Sequence, residues 1–280
     1  GHRLDWSRLA AERPAMLMRQ TRNVHKGTFG TLAIIGGTEG MVGAPLLAGR
    51  AALHAGAGKI WVGLAASSPP AVDWGQPELM LRTADQVVAA GASAIVCGPG
   101  LGITAAATAL LARAIAERVP LVLDADALNA IAKDAALAAA VAKRDAPTIA
   151  TPHPAEAARL LGTTTDAIQA DRLAAAQALA SKLRAHVVVK GAGSVLAHPD
   201  GAWDINASGN AGLASAGSGD VLAGFAGGFL AQGIDARSAL RLAVCLHGAA
   251  ADACVANGDG PLGLTAGELP RVARALLNSR

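Results

Sequence analysis

Residues 94–126 read AIVCGPGLGITAAATALLARAIAERVPLVLDAD and alternate between short apolar runs and a longer alanine-rich segment. The runs Ala94–Cys97 and Leu121–Leu123 are apolar at consecutive positions, which is typical of strands covered on both faces. Thr104–Glu117 lies between them and has the composition of a helix. A strand, a helix and a second strand in this order predict two parallel neighbours in one sheet.

The same alternation extends along most of the chain. Four more apolar runs predict strands: Thr31–Ile35, Lys59–Leu64, Thr148–Ala150 and His186–Val189. Helices are predicted over Pro45–Ala55, Pro154–Leu161, Asp166–Leu183, Asp220–Gln232, Ala236–Ala256 and Gly267–Leu277. The order changes at Ser194–Asn206, which predicts a hairpin turning at Pro199-Asp200-Gly201. We therefore predict one α/β domain with a mostly parallel central sheet and helices on both faces.

Composition excludes several classes of protein. The 280 residues are 52% hydrophobic and 16% charged, and their mean hydropathy is +0.37, so the chain is not disordered. The formal net charge is only +3, and the chain has four Trp, three Phe and no Tyr. Without a basic cluster or a set of stacking aromatics, we expect no nucleic-acid partner.

Cysteine usage and the apolar stretches indicate a reducing compartment and no membrane partner. Cys97, Cys245 and Cys254 have no metal-ligand spacing, so we expect buried, reduced thiols and a cytoplasmic location. The N-terminus shows no signal peptide, and Gly1-His2 resembles a tag remnant. The uncharged stretch 86–112 could span a bilayer by length, but its central glycines and proline favour a strand, a turn and a helix.

A bare loop precedes the predicted helix at Asp220. Residues 209–224 read GNAGLASAGSGDVLAG, in which small residues lead up to a single carboxylate. Such a backbone can approach a ligand closely, and a helix N-terminus suits phosphate. An acid in a first helical turn is ordinarily explained by the helix dipole. An anion site would repel a carboxylate that had no catalytic role there. We therefore interpret Asp220 as a general base beside a phosphoryl group.

Further polar and glycine-rich clusters follow the predicted strands, where ligands bind in open parallel sheets. Gly98–Gly102 reads GPGLG, which only superficially matches a dinucleotide-binding turn, and no phosphate-loop motif occurs. Asp126 is interpreted as a helix cap, whereas Asp124 could orient a ligand or a magnesium-bound water. His153, between two prolines, is expected to face a ligand, and Lys190 either pairs with a surface acid or meets phosphate or ribose.

Seven motifs together resemble a known family. In chain order they are HKGTFG (25–30), GAPLLAGRAALHAGAG (43–58), CGPGLG (97–102), LDADALN (123–129), TPHPAE (151–156), KGAGSVL (190–196) and the 209–224 loop. GSGD opening a helix resembles the anion hole and base of ribokinase-fold kinases. The whole set, over residues 25–275, resembles the ADP- or ATP-dependent NAD(P)H-hydrate dehydratases.

The resemblance implies a ribokinase-like domain over residues 25–280, after an N-terminal extension at 1–24. It implies ADP-dependent dehydration of the S-form of hydrated NADH or NADPH, through phosphoryl transfer to the ring hydroxyl and loss of phosphate. Asp220 would be the base, and Gly217, Ser218 and Gly219 would hold the phosphoryl group. The other implied contacts are Ala44, Gly100, Gly102, His153 and Asp220 for the hydrate, and Lys190, Gly191, Ala192, Gly193, Ser194 and Gly219 for the nucleotide.

Magnesium, cytoplasmic location and a homotetramer are also implied by the resemblance. Glu156, in a motif similar to the magnesium motif of the kinases, and Asp124 are the candidate metal ligands. The chain departs from the family at Ala216 and Ala155, where glycine is usual, and at Ser218, where threonine is usual. Family members are often fused to an N-terminal epimerase domain, so we expect this chain to be either a stand-alone enzyme or an excised half. A vitamin-precursor kinase and a catalytically silent nucleotide-binding module are the alternative functions.

Overall fold

The computed structural model describes residues 1–11 and 24–279. Ten strands in this part of the chain form one sheet: β1 (His2–Leu4), β2 (Thr31–Gly36), β3 (Lys59–Leu64), β4 (Met80–Thr83), β5 (Ala94–Cys97), β6 (Leu121–Leu123), β7 (Thr148–Ala150), β8 (His186–Val189), β9 (Val195–Ala197) and β10 (Trp203–Asn206). Their order across the sheet is β1-β10-β9-β8-β7-β6-β5-β2-β3-β4.

Helices cover both faces of this sheet. Those in the described residues are α1 (Trp6–Ala11), α2 (Gly43–His54), α3 (Ala84–Val88), α4 (Ala105–Ala116), α5 (Ala125–Lys133), α6 (Ala135–Ala142), α7 (Pro154–Leu161), α8 (Thr165–Ala170), α9 (Arg172–Leu183), α10 (Ser218–Ala231), α11 (Ala236–Ala256) and α12 (Leu269–Asn278). A short 3-10 turn spans Ala211–Leu213.

The strand pairing is parallel except around β9. From β4 to β8 every neighbouring pair is parallel, so the carboxyl ends of these strands meet at one edge of the sheet. β9 is antiparallel to both β8 and β10, which confirms the predicted hairpin. β10 consequently runs in the same direction as β8, and β1 joins it in parallel. The predicted α/β class, with a mostly parallel sheet between two helical layers, is confirmed.

Two apolar layers stabilise the sheet, one on each face. α2, α10 and α11 supply one layer, in which Phe225 and Phe229 are fully buried. α4, α5, α7 and α9 supply the other. Glycines allow α10 to lie very close to its neighbours, since a Cβ at Gly224 would collide with the carbonyl oxygen of Ala48 on α2. The helix that begins at the glycine loop is therefore held firmly in the core.

Most predicted elements are present with the expected bounds. All six predicted strands occur, and only β2 differs, by one extra residue. The single helix predicted over 166–183 is wrong, because the chain breaks at Asp171, whose side chain accepts the Ala174 N–H at 2.9 Å and caps α9. The edge strands β1 and β4 and the helices α1, α3 and α6 were not predicted, and α5 was expected only as a helix following Asp126, without bounds. The first residues of the N-terminal extension thus belong to the same sheet, while its boundary at 24 remains a prediction.

The cysteines and the longest apolar helix agree with a packed interior. Cys97, Cys245 and Cys254 are free and buried. The stretch 86–112 forms the end of α3, β5, a glycine turn and most of α4. α11 is long and apolar enough to cross a membrane by length and composition, but 67% of its apolar window is buried inside the molecule.

Candidate active site

The carboxyl edge of the sheet gathers the polar clusters that follow β5, β6, β7 and β8. Asp124 comes directly after β6, Thr151 after β7 and Lys190 after β8. These three strands are adjacent and parallel in the sheet, with β7 between β6 and β8. The N-terminus of α10 approaches the same place, because a Cβ added at Gly219 would lie 3.2 Å from Lys190 Nζ. The topology therefore brings residues from distant parts of the sequence into one site.

An ion pair forms the centre of this site. Lys190 Nζ donates to Asp124 Oδ1 at 3.0 Å, and Thr151 Oγ1 donates to the same oxygen at 2.7 Å. The Asp124 side chain is only 2% exposed, so these partners compensate for its lost hydration. Burial disfavours the charged form of Lys190, but the negative charges of Asp124 and Glu156 outweigh it and raise its pKa. A partly buried positive charge thus faces the loop that precedes α10.

Asp220 lies in the first turn of α10 and has the properties of a base that works near neutral pH. Burial raises the pKa of its carboxyl group to about 7, and the charge of Asp124 adds to this effect while Lys190 opposes it. A general base is most effective when its pKa is close to the working pH. The structure therefore gives a physical reason for an acid in this loop beyond the helix dipole.

The turn before Asp220 can hold an anion. Gly217 is the N-cap of α10 with φ of 87°, in the left-handed region that glycine adopts without strain. Ser218 and Gly219 follow in the first turn, where helix geometry leaves N–H groups without partners inside the helix. The Ser218 N–H donates to the Ser215 carbonyl oxygen at 3.3 Å, and the Gly219 N–H together with the positive end of α10 favours a phosphate at this point.

A cavity of about 620 Å³ adjoins this turn. All six residues that the resemblance assigns to the nucleotide line it: Lys190, Gly191, Ala192, Gly193, Ser194 and Gly219. The end of β10 and the segment after it also line the cavity, with Asn206, Ser208 and Asn210. The volume falls within the range of small-molecule sites, and the site combines one cation with many small residues. The cavity therefore fits a nucleotide, and the assignment of individual contacts remains a prediction.

Three of the residues assigned to the hydrate, Ala44, Gly100 and Gly102, lie around the turns after β2 and β5. A Cβ at Gly100 would be 3.4 Å from the Ala44 Cβ and 2.7 Å from the Met41 carbonyl oxygen, so only glycine allows this close approach. The Gly102 N–H donates to Asp126 Oδ2 at 2.8 Å. Asp126 lies in the first turn of α5 and holds the GPGLG turn, so its interpretation as a helix cap is wrong.

His153 and Glu156 form a rigid pair at the start of α7. His153 Nδ1 accepts the Ala155 N–H at 3.1 Å, and its Nε2 lies 3.3 Å from Glu156 Oε1. Burial and the nearby Lys190 charge lower the pKa of His153, so its ring is neutral. Burial also raises the pKa of Glu156 to about 7. The imidazole is 46% exposed, which leaves it accessible to a ligand.

One backbone feature accompanies these contacts. Ala125, directly after Asp124, has φ of 47°, in the left-handed region that residues with a side chain rarely adopt. Such strain is common where a chain positions functional groups. Ala125 is the first residue of α5 and separates Asp124, the N-cap, from Asp126.

The metal ligands proposed from the sequence do not form a complete site by themselves. Within residues 1–11 and 24–279, no group of three or more His, Cys, Asp or Glu side chains is arranged to hold a metal ion. Asp124 is already paired with Lys190. Magnesium bound to a nucleotide commonly takes one or two carboxylates together with phosphate oxygens and water. Asp124 and Glu156 fit that limited role only, and their function as ligands remains a prediction.

His247 is a polar residue of the cavity that the sequence did not reveal. It lies in the middle of α11, where its Nε2 is 3.2 Å from Ser218 Oγ. No motif surrounds it, since its neighbours are apolar and alanine-rich. Only the packing of α11 against α10 brings it to the anion site.

Comparisons with known proteins agree with this geometry. The family model described as NAD(P)H-hydrate dehydratase matches residues 32–270. The chain is 47% identical over 269 residues to the ADP-dependent (S)-NAD(P)H-hydrate dehydratase of Neisseria meningitidis, covering 95% of this chain and 90% of that protein. The bifunctional NAD(P)H-hydrate repair enzyme of Coxiella burnetii is 37% identical and is covered over 53% of its length.

Solved structures give the same result. The ADP/ATP-dependent NAD(P)H-hydrate dehydratase of Bacillus subtilis, co-crystallised with ATP/Mg²⁺, superposes with a TM-score of 0.85 at 32% identity, covering 98% of this chain and 97% of that one. A ribokinase-like superfamily protein of Enterococcus faecalis superposes with a TM-score of 0.79 at 26% identity, covering 99% and 97%. The fold is ribokinase-like, and the chain belongs to the NAD(P)H-hydrate dehydratase family.

Proposed function

We propose that this protein catalyses the ADP-dependent dehydration of the S-form of hydrated NADH or NADPH. The observation that carries the proposal is the position of Asp220. It lies in the first turn of α10, directly after Ser218 and Gly219, which line a nucleotide-sized cavity. The carboxylate of Asp126, which holds the glycine turn assigned to the dinucleotide, is near enough to contribute to the raised pKa of Asp220. Membership of the family and the 47% identity to the Neisseria meningitidis enzyme support the same reaction.

The first step is phosphoryl transfer to the ring hydroxyl. Asp220 removes the hydroxyl proton, and the hydroxyl oxygen bonds to the terminal phosphorus of ADP while the bond to the bridging oxygen breaks, releasing AMP. The N–H groups of the Gly217–Gly219 turn stabilise the charge on the transferring phosphoryl group. Lys190 remains charged at the edge of the cavity and balances the charge of the nucleotide.

The second step is elimination. The new phosphate ester leaves as inorganic phosphate, its bonding electrons stay on oxygen, and the ring loses a proton as the double bond of the reduced nicotinamide forms. The sum is hydrated NAD(P)H plus ADP giving NAD(P)H, AMP and phosphate. Magnesium, when bound with the nucleotide, would neutralise charge on the phosphate oxygens. Phosphorylation replaces hydroxide, a poor leaving group, with phosphate, which explains why a dehydratase contains a kinase-like site.

Several finer properties are proposed on the family resemblance. They are a preference for ADP, dependence on Mg²⁺ with Asp124 or Glu156 near the ion, cytoplasmic location and a homotetramer. The ion pair between Lys190 and Asp124 supports a nucleotide-linked ion rather than a permanent metal site. Light scattering on the purified chain tests the oligomeric state, and initial rates with ADP, ATP and added EDTA test the other biochemical properties.

The central experiment measures recovery of the reduced nicotinamide absorbance from hydrated NADH with ADP and Mg²⁺. We expect recovery with equal amounts of AMP and phosphate, and its loss in Asp220→Asn. Absence of recovery, together with ADP formed from ATP and a vitamin precursor, would favour a kinase. If wild type and Asp220→Asn bind nucleotide alike and neither turns over, the protein is a silent binding module.

A further inference from the structure

We infer that His247 is a positioning residue: its imidazole N–H holds the Ser218 hydroxyl oxygen, so that the Ser218 O–H points to the phosphoryl group. The inference rests on the proposed phosphoryl transfer and names a residue outside the motifs that suggested it. His247 does not contact the reacting atoms in this role. It acts only through Ser218.

The geometry of the pair is specific. His247 Nε2 lies 3.2 Å from Ser218 Oγ, and the two residues are 8% and 5% exposed. Both line the nucleotide cavity. The imidazole also contacts the ring of Phe225 edge to face, with 6.3 Å between the ring centroids. The ring is therefore fixed by packing, and its exposed part faces the cavity.

The direction of this hydrogen bond determines what Ser218 offers to a ligand. A neutral imidazole has one N–H donor and one bare acceptor nitrogen. If Nε2 accepted, the Ser218 hydroxyl would donate to it and present only oxygen lone pairs to the cavity. If Nε2–H donates, the hydroxyl proton is free to point outward. Only the second arrangement favours a phosphate oxygen beside Ser218.

In a neutral ring, one contact favours the N–H arrangement. Burial lowers the pKa of His247 to about 4, with the Lys190 charge contributing in the same direction, so the ring is neutral at physiological pH. The main chain of Ser218 opposes this shift of the pKa, as a carbonyl oxygen that accepts from a ring N–H does. Because a carbonyl oxygen can only accept, whereas a hydroxyl can accept or donate, one ring N–H that faces Ser218 can serve both groups.

The tautomer can be observed directly by ¹⁵N NMR of the ring nitrogens, with His247→Gln used to assign the signals. We expect a neutral ring protonated at Nε2, both without ligand and with AMP and phosphate added. A ring protonated at Nδ1 in both states would overturn the inference. This measurement does not depend on turnover, so its failure is distinct from failure of the proposed function.

Kinetics of four variants test the consequence for catalysis. His247→Leu fills a similar volume with an apolar side chain and removes the hydrogen-bond donor. We expect kcat to fall about 10- to 100-fold, with a much smaller change in KM for ADP. His247→Gln places an amide N–H near the Nε2 position and should recover most of that loss. In a Ser218→Ala background, His247→Leu should have little further effect, because the two residues act as one unit.

Each outcome distinguishes positioning from a purely structural role. The inference would be overturned if His247→Leu lowered kcat by the same factor in the wild type and in the Ser218→Ala background. It would also be overturned if His247→Gln had the melting temperature of the wild type but did not recover activity. If His247→Leu does not fold, the tautomer measurement and the comparison of His247→Gln with Ser218→Ala still decide the question. Wild-type activity in the same assay separately tests the proposed dehydration.

Discussion

Replacing Asp220 with asparagine should stabilise the folded protein at alkaline pH while it removes the proposed catalytic base. Burial, assisted by the charge of Asp124, raises the pKa of Asp220 from 3.8 to about 7 in the folded state. Holding the ionised carboxylate in the fold therefore costs at most roughly 4 kcal/mol relative to the unfolded chain. Because the group is only half-buried, we expect about half of that, ~2 kcal/mol.

The pH dependence has a defined sign. Below pH 3.8 the Asp220 carboxyl is protonated in both the folded and the unfolded state, so it does not change the free energy of unfolding. As pH rises, the unfolded chain ionises first, so stability is lost until the folded carboxyl also ionises near pH 7. The neutral asparagine avoids this loss. The gain from Asp220→Asn should accordingly be about 2 kcal/mol at pH 8 and below about 1 kcal/mol at pH 5.

Urea unfolding at these two pH values measures the difference. Asp145→Asn is the matched control, since Asp145 is exposed on the loop before β7, at the opposite edge of the sheet. It should change the free energy of unfolding by less than about 0.5 kcal/mol at either pH. The reasoning would be refuted by a destabilised Asp220→Asn, or by a gain that is equal at pH 5 and pH 8.

The wild-type kcat/KM should fall about tenfold per pH unit below pH 7, because Asp220 must be ionised to accept a proton; a flat profile from pH 5 to 8 would contradict this. Gly219→Ala should weaken ADP binding about tenfold by calorimetry, since its Cβ would lie 3.2 Å from Lys190 Nζ, whereas Gly267→Ala meets no atom within 4 Å and should leave the affinity unchanged. Gly224→Ala should lower the free energy of unfolding by about 3 kcal/mol, because its Cβ collides with the main chain of α2. A Gly224→Ala protein with wild-type stability would show that α10 can move away from α2.

The sequence predicted the central strands better than the edges for a physical reason. β2, β5 and β6 are buried at every position, so their consecutive apolar residues stand out. β4 has no buried residue and includes Arg82 and Thr83, so its sequence carries no such pattern. The break between α8 and α9 is equally local, since Asp171 looks like an ordinary surface residue until its capping bond is seen.

For the site, the sequence predicted strand-end residues but not contacts across helices. Lys190 and Asp124 each follow an apolar run, so their convergence could be expected from parallel topology. The contact between Ser218 and His247 depends on how two apolar helices pack, which no local spacing encodes. Asp126 shows the same limit, because its bond to Gly102 is a tertiary contact of a residue that looked like a cap.

The antiparallel strand β9 separates the cavity from the turn that joins β9 to β10. Because β9 runs back to the amino edge and β10 returns, the chain leaves the sheet at the cavity twice within a short span, after β8 and again after β10. Both walls are thus built without an intervening crossover helix. The turn at Pro199-Asp200-Gly201 lies at the far edge of the sheet. A peptide tag or a second domain inserted at this turn would therefore lie at the other edge of the sheet from the proposed nucleotide site.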